Sequence, residues 1–195
     1  MSLTKTQENI LKAARDLILS KGYPATTIDQ IVESAGVSKG SFYHAFPSKE
    51  EMGISLLEWY QLSGVSKVMA GPFAKMKDPK KRMFGFLDHI ENISEDMWGH
   101  GCLLGNLGLE LAETSPKIRK KVSGLFQKVI IMLGPIFEPA GSNKGTKEHP
   151  TAKEVAEQYL VMLEGSIMLA RVYNDWGYFT RGLQNFRNQL NYLSS

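Results

Sequence analysis

Apolar residues recur along this chain at three- and four-residue intervals. Ile10, Ala13, Ala14, Leu17 and Ile18 make one stripe at i, i+3, i+4, i+7 and i+8, the spacing of an amphipathic helix. Lys21-Gly22 is a stop signal for it. Thr26 or Thr27 is placed to cap a short second helix bearing Ile28, Ile31 and Val32. Ala35-Gly36-Val37 reads as a tight turn, and Ser38 caps a third helix through Phe42 and Tyr43. Ser48-Lys-Glu-Glu51 has the form of a capping box. It opens a fourth helix that runs to about Ala70, where Gly71-Pro72 breaks it. Met83, Phe86, Leu87, Ile90, Ile93 and Met97 stripe a fifth, closed by Gly99 and Gly101. A short apolar helix follows from Leu103 to Leu111. Ser115-Pro116 then starts a seventh, with Ile118, Val122, Leu125, Phe126, Val129, Ile130 and Leu133 on one side. Long patterns at about 152–174 and 179–193 complete the chain. There is no convincing strand and no internal repeat. The pattern predicts an all-α protein of about nine helices, with one long loop at 139–150 that is expected to be mobile.

Length and composition fit that picture. The chain has 195 residues, 43% hydrophobic and 22% charged, which is globular composition with enough chain for a sizeable core. The single cysteine, Cys102, excludes an intrachain disulfide framework. The N-terminus lacks the apolar core of a signal peptide, and no apolar run approaches a membrane span. A soluble cytoplasmic protein with no membrane partner is the expectation. Twenty-three basic and 20 acidic residues give a net charge of +3, which decides little about partners.

The second and third helices are joined by a short glycine-containing turn, as in a helix-turn-helix. Ile28, Ile31, Val37, Phe42 and Phe46 would hold them against the first helix. The third helix presents Ser38, Lys39, Gly40, Ser41, Tyr43 and His44, and no acid falls between Val37 and Lys49. Such a surface suits phosphates, and Gly40 permits close approach to a groove. The same pattern also fits a solvated helix face. Residues 1–50 hold six cations and five acids, weak support for DNA binding by charge.

Thr27-Ile-Asp-Gln-Ile-Val-Glu-Ser-Ala-Gly-Val-Ser-Lys-Gly-Ser-Phe-Tyr-His-Ala-Phe-Pro-Ser-Lys-Glu50 resembles the signature of the TetR family of transcriptional regulators. The resemblance spans about the first 60 residues. It rests on Ala35-Gly36-Val37-Ser38, Gly40, Phe42-Tyr43, Phe46 and Ser48-Lys49-Glu50. It implies a homodimeric, ligand-responsive DNA-binding protein, usually a repressor, whose partners are a double-stranded operator, a small-molecule effector and a second copy. It implies that Thr27 bonds a phosphate, that Ser38, Lys39 and Ser41 face base edges, and that Tyr43 and His44 flank the groove. Lys49 would meet phosphate beside the start of the fourth helix, with Phe42 and Phe46 in the core. Ala45 stands where the family more often has His or Tyr, so any contact from there is lost. The implied division is a helix-turn-helix domain over 4–64, with the motif itself at about 27–46, and an effector-binding and dimerisation domain over 65–195.

In the second part Gly101-Cys102 and the helix after it resemble a subset of the family, some members of which respond to electrophiles or oxidants. Cys102 in a first helical turn would gain thiolate character. It equally fits a small buried hydrophobe, and His100-Gly-Cys102 as a metal pair lacks a second pair. Large rings and the glycines 64, 105, 108 and 165 leave room for a pocket. Its candidate lining is Trp59, Phe86, His89, Trp98, Cys102, Asn106, Phe126 and Tyr173. Most of these rings fall at core spacing, and His89 and Asn106 also fit satisfied buried polar residues. The helices at about 117–138 and 152–174 are the expected four-helix dimer bundle. In the second of them Leu160, Leu163, Ile167 and Ala170 make one apolar face and Val161, Met168 and Val172 another. The basic clusters Lys77–Arg82 and Lys117–Lys121 read as solvated faces.

No phosphate loop, zinc motif or nucleophile elbow is present. No catalytic residue, cofactor or metal is expected. The competing classes are a thiol-dependent redox enzyme at Cys102, which lacks a Cys-x-x-Cys pair, and an interaction module that does not touch DNA.

Overall fold

The computed structural model describes residues 3–141 and 149–194. Most of the long loop expected at 139–150 therefore lies outside the described residues. Among the described residues the chain forms nine α-helices and no strand. They are α1 (Lys5–Lys21), α2 (Ile28–Ala35), α3 (Lys39–Ala45), α4 (Lys49–Met69), α5 (Pro79–Trp98), α6 (Leu103–Leu111), α7 (Pro116–Phe137), α8 (Ala152–Val172) and α9 (Gly177–Leu193). Two short 3-10 turns, Pro72–Lys75 and Glu138–Ala140, fill connections.

The caps explain most boundaries. Thr27, not Thr26, caps α2 in a reciprocal box with Gln30. Thr26 is buried instead, its hydroxyl donating to the Gly22 carbonyl at 2.8 Å. Gly36 ends α2 in the left-handed region at φ 65°, where a side chain costs about 1 kcal/mol. Ser38 caps α3 by accepting from Ser41 N. Ser48 Oγ accepts from Glu51 N at 3.1 Å at the start of α4.

By packing, the chain divides into two compact units, and the division is not a single cut. One comprises residues up to 63 together with 102–125. The other comprises 64–101 and 126 onward. In the first, Ile10, Leu11, Ile18, Ile31, Phe42, Met52 and Leu56 are fully or almost fully buried, and Leu103, Leu107 and Ile118 are buried too. Polar bridges tie α4 to α7 there. Ser115 Oγ donates to Glu50 Oε1 at 2.6 Å, Lys117 pairs with Glu51 at 3.2 Å, Lys121 pairs with Glu58, and Gln61 donates to the Leu125 carbonyl. The basic cluster at 117–121 is thus not simply solvated. Cations at a helix N-terminus oppose its dipole, and here two of them answer the acids of α4.

The second unit is built on rings. Phe86 meets Phe73 at 5.3 Å and Phe137 at 5.8 Å, both edge to face, and Tyr159 lies 5.6 Å from Phe186. Edge-to-face contact suits the ring quadrupoles. The two apolar faces of α8 part, with Leu160 of the first only half-buried. Leu163, Ile167 and Ala170 are core, while Val161, Met168 and Val172 are exposed. No helix among the described residues is long and apolar enough to cross a membrane.

Candidate nucleic-acid interface

The candidate DNA face lies on α2 and α3 of the first unit. Phe42 is fully buried and Phe46 nearly so, which fixes the roll of α3. Seven residues make only about two turns, so burying Phe42 turns Lys39, Gly40, Tyr43 and His44 outward, and these four are exposed. Ser41 is half-buried, its hydroxyl 2.9 Å from that of Ser38. Thr27 is exposed at the start of α2. Its oxygen accepts from Gln30 N at 3.2 Å, which leaves the hydroxyl proton for an outside acceptor. Tyr43 stands edge-on to Phe42 at 5.5 Å and is 49% exposed. A methyl on Gly40 would meet only Ser38 Oγ, at 3.7 Å. The glycine therefore does not serve packing within the protein.

A groove of about 520 Å³ runs beside this face, between α3 and the start of α1. Gly40, Ser41 and His44 line one side, and Thr4, Thr6 and Gln7 the other. The sequence reading missed Thr4 and Thr6. Nothing local ties residue 4 to residue 44, and Lys5 is the only cation beside these hydroxyls.

The two lysines differ from expectation. Lys39 Nζ pairs with Asp29 Oδ1 at 2.7 Å. Lys49 is half-buried. Its Nζ donates to the Tyr23 carbonyl at 2.6 Å and lies 4.2 Å from the centre of the Tyr23 ring. Burial lowers the pKa of this ammonium, and Glu110 opposes that shift. An internal contact thus stands where a phosphate contact was expected. Tyr23 N–H in turn donates to Glu110 Oε2 at 2.7 Å. Burial, with Glu50 adding, pushes the Tyr23 hydroxyl up to about 12.

The eight pocket candidates fall into two groups. Trp59, Cys102 and Asn106 belong to the first unit, and Phe86, His89, Trp98, Phe126 and Tyr173 to the second. Trp59 sits under the Arg15 guanidinium at 5.7 Å. Cys102 is the N-cap of α6, one residue ahead of its first turn, and is buried. Asn106 is half-buried on α6 and Phe126 half-buried on α7. Phe86 and Trp98 are core, the latter 6.3 Å from Phe179. His89 Nε2 lies 3.0 Å from the Lys67 carbonyl. A carbonyl only accepts, so this nitrogen is the donor. Tyr173 is not interior: it is 61% exposed and stacks on Tyr178 at 4.7 Å. A groove of about 1000 Å³ between α8 and α9 is lined by Val161, Met162, Asn185, Phe186 and Gln189 among others, and by none of the eight.

Residues 10–55 match the family model described as bacterial regulatory proteins, tetR family. Residues 79–181 match that of the LmrA/YxaF-like transcriptional regulator C-terminal domain. The chain is 27% identical to the HTH-type transcriptional regulator LmrA of Bacillus subtilis over 174 residues, 87% of this chain and 88% of the relative. It is 25% identical to the HTH-type transcriptional repressor NemR of Escherichia coli over 139 residues, 71% of this chain and 70% of the relative. The crystal structure of NemR in its reduced form superposes with a TM-score of 0.79 at 21% identity, covering 95% of this chain and 96% of that one. A regulatory protein TetR from Rhodobacter sphaeroides gives 0.80 at 23% identity, covering 95% and 99%.

Proposed function

The chain belongs to the TetR family of bacterial regulatory proteins, and from that premise we propose that it is a repressor released from its operator by a small molecule. The observation that carries this reading is α3 itself, a capped helix rolled by the buried Phe42 so that its polar residues face solvent. Ser38, Lys39 and Ser41 read base edges. Gly40 lets the backbone approach, Thr27 meets a phosphate, and Tyr43 and His44 bracket the groove. Thr4 and Thr6 extend the contact surface along α1. Lys49 holds the turn between α1 and α2 rather than a phosphate. Effector binding and dimerisation belong to 65–195, with α6 and the first part of α7 packed into the DNA-binding unit.

Two copies pair through the exposed face of α8. Val161, Met168 and Val172 recur at i, i+7 and i+11, one stripe of a helix. The groove between α8 and α9 adjoins it at Val161. In this reading α9, which lines that groove with α8, is the second bundle helix of each copy in place of the α7 expected from sequence. A dimer sets two reading helices about one DNA turn apart, roughly 34 Å. An effector that favours a different spacing releases the operator.

The test is retention on fragmented genomic DNA. Retention of a few fragments, lost with added salt, supports the reading. Uniform weak retention of all fragments overturns it.

A second reading, thiol sensing at Cys102, has one observation in its favour. The residue is the N-cap of α6, where helix amides favour a thiolate. Its 7% exposure favours a plain core role instead. Native-state labelling by iodoacetamide decides: a rate that tracks a pKa near 8.5 or above, or no labelling, removes the sensor.

A further inference from the structure

The reading helix carries one lysine, no arginine and no acid. The carboxylate of Asp29 reaches that lysine from the first turn of α2, at 2.7 Å. The pairing raises the Lys39 pKa through the hydrogen bond first and the opposite charge second. Both side chains are more than half exposed. Asp29 complements the dipole of α2 from its first turn, but an exposed ion pair adds little to folding, so fold stability is a weak reason for its pairing with Lys39. Against DNA its charge is unfavourable, because it repels phosphates. The surroundings make this sharper. Residues 1–63 hold six Lys or Arg and seven Asp or Glu, and Lys49 is already engaged with Tyr23.

We propose that Asp29 is a specificity-positioning residue, which withholds Lys39 from the phosphate backbone and orients its ammonium toward a base edge. An ammonium has three N–H donors. One goes to Asp29, and two remain for a pair of acceptors such as guanine O6 and N7. Lysine lacks the preset fork of arginine, so the carboxylate supplies the orientation that the side chain does not. At a phosphate the same carboxylate repels the ligand. Asp29 thereby lowers sequence-independent affinity more than specific affinity. The inference rests on Lys39 reading a base.

The experiment uses the full chain and two probes: a duplex enriched by the wild-type protein from a randomised pool, and a scrambled duplex of equal length. Dissociation constants over a salt series are measured for wild type, Asp29→Asn, Asp29→Glu, Lys39→Ala and the Asp29→Asn/Lys39→Ala double variant, with thermal melts confirming the fold. Asp29→Asn should tighten scrambled binding by about two- to fivefold. Its salt slope should steepen by about 0.9, one phosphate, and its ratio of enriched to scrambled affinity should fall. Asp29→Glu should restore the ratio. In the Lys39→Ala background Asp29→Asn should leave the slope unchanged. Equal tightening with and without Lys39 would show bare repulsion and overturn the proposal. So would an unchanged ratio in Asp29→Asn when Lys39→Ala loses its preference, and that result leaves the reading of Lys39 intact. If Lys39→Ala keeps full preference for the enriched duplex, the reading of Lys39 fails and the inference with it.

Discussion

Glu110 Oε2 accepts the backbone N–H of Tyr23 at 2.7 Å. The contact joins the last turn of α6 to the turn between α1 and α2. Gly22, at φ 86°, brings the chain past the same carboxylate, where even a Cβ would stand 3.2 Å from its oxygens. The Tyr23 carbonyl is taken by Lys49. One residue of the turn is thus held at both its backbone groups by side chains from two different helices. Glu110→Ala takes the acceptor from this part-buried N–H, which costs about 1 kcal/mol. Urea unfolding should show that loss, with faster amide exchange at Tyr23 than in wild type. An unchanged midpoint would mean that water replaces the carboxylate.

Tyr23 should also set an alkaline limit. Its folded pKa is raised from 10.0 to about 12, so the native state keeps a proton that the unfolded chain releases. The stability that Tyr23 contributes is complete below about pH 10 and falls as pH rises toward about 12. One pKa unit is 1.36 kcal/mol, and partial burial brings the two-unit loss down to roughly 2 kcal/mol or less. The difference in stability between wild type and Tyr23→Phe should therefore change across that window. Parallel pH curves for the two proteins would show that this hydroxyl is not shifted.

Lys49→Met should leave the salt slope of DNA binding unchanged. Its ammonium is spent on the Tyr23 carbonyl and ring, so no counterion release depends on it. Its loss should appear in stability instead, as a drop of about 1–2 kcal/mol from one charge-assisted hydrogen bond and a cation–π contact. A slope shallower by about 0.9 at unchanged stability would return Lys49 to the phosphates.

These two lysines mark what a sequence can show. Periodicity and caps are local, and they locate the nine helices of the described residues, Ser38 as a cap and the buried Phe42, while leaving Thr26 and Thr27 as alternatives at the start of α2. The partners of Lys39 and Lys49 lie on other elements, and their choice depends on the register between helices. The stripe of α8 illustrates the same limit. Periodicity shows two apolar faces, but packing decides that the face bearing Ile167 is core and the face bearing Val161 is exposed. Helical spacing groups Tyr173 with the other large rings as candidate pocket lining. The turn after α8, with Asn174 at φ 49°, leaves it on the surface against Tyr178.

That division of α8 predicts two different failures. Val161→Glu places a charge on the exposed stripe, so the protomer should fold and sediment as a monomer. A charge buried in the dimer would cost several kcal/mol. Ile167→Glu places the charge in the protomer core, at 3% exposure, and should unfold the chain at any concentration. A folded Val161→Glu dimer would move the interface elsewhere, while a folded Ile167→Glu monomer would contradict the packing of this unit.

Gly40→Ala separates the needs of the protein from those of its ligand. The added methyl has ordinary contact with Ser38 Oγ and nothing closer, and no left-handed backbone is required there. Alanine also loses less conformational entropy on folding than glycine. The variant should therefore be more stable by several tenths to about 1 kcal/mol. If the glycine is present for close approach of the α3 backbone to a groove, the more stable protein should bind its enriched duplex about tenfold more weakly or worse. That loss corresponds to about 1.4 kcal/mol of steric cost at the DNA. It should fall on specific and not on scrambled DNA, because loosely held sequences do not require full insertion of the helix. Opposite signs for stability and affinity in one substitution cannot come from damage to the fold. Raised stability with undiminished binding would show that α3 stands off from the groove at this position and that the glycine has no part in docking.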